Sequence, residues 1–200
     1  MDDSDVTRRD RPAFAQVQPR LVVGQVLLVR RRGLVGWLIR RVTRSAWNHA
    51  ALVDQTQSGV WVTVEASDNN RVTARLLTTH LHDQTVTGLL LRDSSLLTFQ
   101  DRQRIMEAAW LQVGRRYDTL QLAGIYLRRR LPWLFGGSRC ALAENRLDSR
   151  DRLICSELVT VAYLKGAGMR LAPEGVAVGN VDPGHLATTA KLFTVWSWQA

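Results

Sequence analysis

The chain has 200 residues, 46% of them hydrophobic, and a formal net charge of +9. That length supports one domain with a real core, the apolar fraction is that of a globular protein, and no apolar run reaches the length of a membrane span. Nearly all the positive charge is arginine, since Lys165 and Lys191 are the only lysines. The arginines are scattered apart from Arg30-Arg31-Arg32, Arg40-Arg41 and Arg128-Arg129-Arg130, and no helix-turn-helix or zinc-finger spacing accompanies them, so no specific nucleic-acid partner is expected.

Residues 1–18 are polar and mixed in charge and read as a flexible N-terminal arm, with 19–200 as a single domain. The charged first decad lacks the pattern of a secretory signal, which makes the cytoplasm the default location. There Cys140 and Cys155 are expected to stay free. Leu21 to Val29 has the composition of a strand, kinked near Gly24. Gly33 to Arg44 places Leu34, Trp37, Leu38 and Val42 on one helical face with arginines opposite. This predicts an amphipathic helix packed on a sheet, with peripheral contact to an anionic membrane as the alternative.

Asn48 to Asp54 and Val60 to Ala66 are β-rich runs joined by the turn-like Gln55-Thr-Gln-Ser-Gly59, which predicts a hairpin. Centring the turn on Gln57 sets His49 opposite Glu65. Alternation then assigns Ala50, Leu52, Val60, Val62 and Val64 to a core face, and His49, Ala51, Val53, Trp61, Thr63 and Glu65 to the other. Strands are expected over 71–77 and 85–92, with His80 and His82 in the exposed loop between them. They have no partners at metal-ligand spacing, and no metal or other cofactor is expected. Thr98 introduces a helix that Gly114 ends, and Asp118 caps another through Leu127. Leu131 to Ser138 reads as a hydrophobic loop, 139–151 as a connection, 185–190 as a short helix and 192–196 as a strand.

The stretch that organises these pieces is Asp151 to Lys165. Cys155 and Ser156 open an apolar helical run that Gly166 and Gly168 stop. A thiol in a first helical turn meets unpaired N–H groups and the positive end of the helix dipole, both of which favour thiolate. Taken alone, such a cysteine reads first as a small core residue, which is what most free cysteines are. Cysteine hydrolysis needs a nucleophilic thiolate, an imidazole in reach and a polar group to orient it. Cys155, His49 and Glu65 are the residues of the right type, and the N–H groups around Cys155 would serve an oxyanion.

The chain also resembles a known family, the permuted branch of the NlpC-like papain-fold superfamily typified by YiiX/YaeF-like amidases. The resemblance covers roughly residues 20 to 190 and lies in Gly24-Gln-Val-Leu-Leu-Val29, Trp47-Asn-His-Ala-Ala-Leu-Val53 and Val64-Glu-Ala66. It continues in Gly114-Arg-Arg-Tyr-Asp118 and Ile154-Cys-Ser-Glu-Leu-Val159, with histidine before cysteine. Ile154 stands where an aromatic would be more usual, and residues 128–150 are longer than a bare connection.

The resemblance implies an α+β, permuted papain-like fold: a small antiparallel β-barrel or curved sheet packed with helices, its nucleophile at a helix N-terminus. It implies Cys155 as nucleophile, His49 as base and Glu65 as orienting residue, with Tyr117 near substrate or oxyanion; Ser156, next to the nucleophile, is a further candidate for that substrate or oxyanion role. The implied activity is hydrolysis of a peptide, amide or related acyl bond through a thioester. The alternatives are a lipid acyltransferase or phospholipase of the same superfamily at a membrane surface, and a non-catalytic phage or effector component that keeps the fold.

Overall fold

The computed structural model describes residues 11–67, 71–117, 152–153 and 155–200. Strands β1 (Val26–Arg31), β2 (His49–Gln55), β3 (Trp61–Ser67), β4 (Arg71–Leu76), β5 (Val86–Asp93), β6 (Arg116–Tyr117), β7 (Arg152–Leu153) and β8 (Phe193–Gln199) form one sheet. Its order is β7-β6-β4-β3-β2-β1-β5-β8. Neighbours run antiparallel except β6 and β7, which are parallel. Among the described residues no pairing joins the outer strands, so the sheet is open rather than a closed barrel.

The helices are α1 (Phe14–Val17), α2 (Leu34–Thr43), α3 (Leu77–His82), α4 (Phe99–Trp110), α5 (Cys155–Ala167) and α6 (Pro183–Thr188). Both faces of the sheet are covered, which is why its central strands are apolar on both sides. On one face Val26, Leu28, Ala50, Leu52 and Val64 pack with Ile105 of α4 and with Cys155, Leu158, Val159 and Tyr163 of α5. On the other, Leu27, Val29, Ala51, Val53, Leu89 and Leu91 pack with Val17, Leu77 and Leu81. Burying a side chain such as Leu158 or Val159 contributes about 1.5–3 kcal/mol.

Helix α4 starts at the expected place because Thr98 and Asp101 form a reciprocal capping box. Helices α4 and α5 meet backbone to backbone at Gly166, where an added Cβ would lie 2.5 Å from the Cα of Ile105. Gly166→Ala is therefore expected to cost about 3 kcal/mol, more than its gain in helix propensity returns. Chemical denaturation measures this, and an unchanged midpoint would contradict the close approach.

Several expectations are corrected. The hairpin pairs Ala51 with Glu65 and Gln55 with Trp61, two residues away from the register centred on Gln57. The turn runs from Thr56 to Val60, with Gly59 at φ 81° and the Val60 carbonyl accepting from Thr56 N–H at 2.9 Å. A slip of two keeps every side chain on its expected face, whereas a slip of one would have separated His49 from Glu65.

The arm expected over residues 1–18 is docked from residue 11: Val17 is buried, and Arg11 donates to the Asp83 carbonyl at 2.7 Å. Residues 33–44 do form a helix, α2, but its Leu34, Trp37 and Leu38 face solvent while Ile39 is buried. The cause is Gly36, whose bare Cα faces β1 so closely that a Cβ would lie 2.8 Å from the Arg31 carbonyl. His80 is also not in an exposed loop. It lies on α3 and is buried. The expected helix after Asp118, the 131–138 loop, the 139–151 connection and Cys140 lie outside the described residues.

Candidate active site

Three elements carry the candidate residues. His49 is the first residue of β2, and the entry to that strand is pinned by Asn48. The Asn48 side chain accepts from Arg31 N–H and donates to the Arg31 carbonyl, both at 2.9 Å. Glu65 comes from β3, diagonal to His49 and directly opposite Ala51, whose small side chain leaves room for the carboxylate. Cys155 opens α5, where the first-turn N–H groups have no partner within the helix. Among the described residues it is a free thiol, and it is buried.

His49 Nε2 donates to Glu65 Oε2 at 2.7 Å. The same ring is hydrogen-bonded to the Cys155 thiol. With Nε2 committed to the carboxylate, Nδ1 is the ring nitrogen left for sulfur. Burial pulls the His49 pKa down, but the Glu65 charge and the hydrogen bonds with Cys155 and Glu65 outweigh it and push the value up to about 9. Burial likewise raises Glu65, and the charge of His49 with hydrogen bonds from His49 and His80 more than reverses this. Its carboxyl is held well below the ordinary carboxylate range. A carboxylate 1% exposed is tolerated here because two histidines meet Oε2 and the Arg75 guanidinium lies near Oε1, which accepts no hydrogen bond from the described residues.

His80 is the residue that sequence reasoning missed. Its Nε2 lies 3.2 Å from Glu65 Oε2 and 3.1 Å from Thr63 Oγ1, and its Nδ1 lies 3.2 Å from Arg31 Nη2. A signal was present in the spacing of Leu77, His80 and Leu81, which is that of one buried helix face. Arg75 Nε approaches the other carboxylate oxygen at 3.4 Å.

Ser156 does not join the site through its hydroxyl. It is buried and donates to the Val181 carbonyl at 2.5 Å, tying α5 to the loop before α6. Tyr117 pairs through its backbone with Leu153, two residues before Cys155. Its side chain lies outside the described residues. A cleft of about 340 Å³ between the end of α2 and α6 is lined by Ser45, Trp47, Asp182 and His185, among others. It is bounded by the segments that lead into His49 and that hold Ser156.

The class this defines is an α+β protein with an open, helix-covered antiparallel sheet and a helix-start cysteine bonded to a histidine–glutamate pair. Among solved structures it is similar to the crystal structure of the metalloprotein YiiX from Escherichia coli O157:H7. The TM-score is 0.65 at 17% identity, over 90% of this chain and 99% of that one. The chain therefore has a YiiX-like fold. No sequence-family profile and no curated protein matches it.

That neighbour is called a metalloprotein, so the fit of a metal here is a question for the donors. Among the described residues no group of three or more His, Cys, Asp or Glu side chains is arranged to hold one. The Nε2 atoms of His49 and His80 are both bonded to the same Glu65 oxygen, and Nδ1 of His80 faces a guanidinium. These donors satisfy one another rather than converging on an open point.

Proposed function

We propose that this protein is a cysteine hydrolase that cleaves an amide, peptide or related acyl bond, with Cys155 as nucleophile, His49 as acid–base and Glu65 as the group that orients the imidazole. The observation that carries this reading is that the His49 ring, bonded to the Glu65 carboxylate at 2.7 Å, also interacts with the Cys155 thiol at the start of α5. In this mechanism the proton rests on His49 and Cys155 attacks the carbonyl carbon as thiolate. A C–S bond forms, first-turn N–H groups of α5 hold the oxyanion, and His49 protonates the leaving group as its bond breaks. Water then attacks the thioester, His49 takes its proton, and the acid leaves as the C–S bond breaks. Tyr117 remains in this proposal as a residue paired with β7, the strand that precedes the nucleophile helix.

The test is the rate of alkylation by iodoacetamide near neutral pH. Wild type is expected to react at Cys155 at least tenfold faster than His49→Ala. Equal rates in both, no faster than a free thiol, would favour the non-catalytic reading.

A second reading, a lipid-modifying enzyme of the same chemistry at a membrane surface, is favoured by α2. Leu34 is 80% and Trp37 53% exposed, and Arg32, Arg41 and Arg44 are exposed beside them. Residues 30–44 contain six arginines and no acidic residue. Apolar side chains that enter a headgroup layer, flanked by arginines that pair with its phosphates, suit an anionic bilayer. Co-sedimentation with phosphatidylglycerol vesicles is expected, with little binding to pure phosphatidylcholine and loss of binding in Leu34→Glu/Trp37→Glu. If anionic vesicles leave the protein in the supernatant, this reading falls and the hydrolase proposal stands.

A further inference from the structure

His80 is a buried polar group in contact with Glu65 that the mechanism above does not use. Its ring is 1% exposed, and its surroundings decide its tautomer. Arg31 Nη2, 3.2 Å from Nδ1, is a guanidinium nitrogen and can only donate, so Nδ1 must be the acceptor. The ring hydrogen then sits on Nε2, between Glu65 Oε2 at 3.2 Å and Thr63 Oγ1 at 3.1 Å. The Thr63 hydroxyl donates onward to the Arg75 carbonyl at 3.4 Å, leaving its oxygen free to accept from His80. Each of these contacts has one consistent donor and one consistent acceptor.

We propose that His80 is the positioning residue of this site: a neutral imidazole, fixed as the Nε2–H tautomer by Arg31, that donates to Glu65 and so holds the carboxylate that orients His49. The proposal rests on the reading of Cys155, His49 and Glu65 as catalytic, and adds a second histidine on the far side of the shared carboxylate. Two histidines meet one oxygen, Oε2, and they do different work. His49 carries charge and exchanges protons, while His80 stays neutral and keeps the oxygen in place. Burial, which lowers the His80 pKa, favours that neutral form. The charged and titratable groups that face the pair are Arg31 from β1, His49 from β2, Arg75 from β4 and Asp83 at the end of α3.

The test has an arm that needs no substrate and no variant. Nitrogen-15 NMR of wild type is expected to show the His80 ring with Nδ1 unprotonated and Nε2 protonated, unchanged between pH 6 and 8 while His49 remains doubly protonated. Observation of the Nδ1–H tautomer or of an imidazolium at His80 overturns the proposal while leaving the hydrolase reading intact.

The second arm compares His80→Gln, whose amide nitrogen can replace the Nε2–H donor, with His80→Leu, which cannot donate. Iodoacetamide alkylation of Cys155 is expected to slow about tenfold in His80→Leu and less than threefold in His80→Gln. Without the donor the Glu65 carboxylate is less stabilised and its pKa rises. The alkylation pH profile is then expected to differ from wild type in the leucine variant and to match it in the glutamine variant. Wild-type rate and profile in His80→Leu, or equal losses in both variants with melting temperatures unchanged, would overturn the assignment. If wild-type alkylation proves independent of His49, it is the hydrolase reading that fails, and the NMR result still decides the tautomer.

Discussion

Cys155→Ala is expected to abolish acyl transfer, lowering its rate by roughly four orders of magnitude or more, with the fold retained. In the proposed mechanism the Cys155 sulfur carries the acyl group, so its removal takes away the atom on which the thioester forms. Alanine keeps the α5 helix and removes one buried atom, at a stability cost of about 1 kcal/mol. A practical readout is p-nitrophenyl acetate, an activated ester that reports thioester formation whatever the natural substrate. Wild type should release a burst of p-nitrophenolate and gain one acetyl group at Cys155 by intact mass, and the variant should do neither. His49→Ala should lose the burst as well. An undiminished burst in Cys155→Ala would move the nucleophile elsewhere in the chain.

Glu65→Gln is expected to cost about 3 kcal/mol of stability, because removing one member of a buried ion pair strands the other. The stranded group is the His49 imidazolium at 2.7 Å. For a domain of this size that corresponds to a fall in melting temperature of roughly 10 °C. The pH dependence should change with it.

The depressed Glu65 pKa adds stability above the ordinary carboxyl value of 4.5, lost as pH falls below it toward the folded value. The raised His49 pKa adds stability below the ordinary 6.5, lost as pH rises toward about 9. Wild type should therefore lose stability between pH 6.5 and 9, and Glu65→Gln should show a flatter profile there. Parallel profiles in the two proteins would show that the pair is not coupled in solution.

The candidate residues were legible in the sequence for chemical reasons. Cys155 precedes an apolar run at helical spacing, and the alternation of residues 49–53 and 61–65 puts imidazole and carboxylate on one face whichever even register the hairpin takes. The pairing itself was misplaced by two residues, because the composition of the turn does not reveal which residue takes the left-handed conformation. Gly59 does, and that moves the centre from Gln57 to Ser58. Ser156 was a natural candidate by adjacency alone, and its hydroxyl is instead spent on Val181, a partner 25 residues away in sequence.

What the sequence determined by itself was the local material: a helix starting at Cys155, a hairpin bearing His49 and Glu65, and an amphipathic segment over 33–44. These follow from periodicity and turn chemistry, which act over a few residues. Only the tertiary structure decided which amphipathic face is buried, since Gly36 turns α2 so that Ile39 packs and Trp37 does not. It alone brought the Cys155 thiol to the His49 ring and His80 to the far side of Glu65. Those contacts join positions 106 and 15 residues apart. Contacts over such spans come from how sheet and helices pack around a shared core, and no periodicity in a single stretch carries that information.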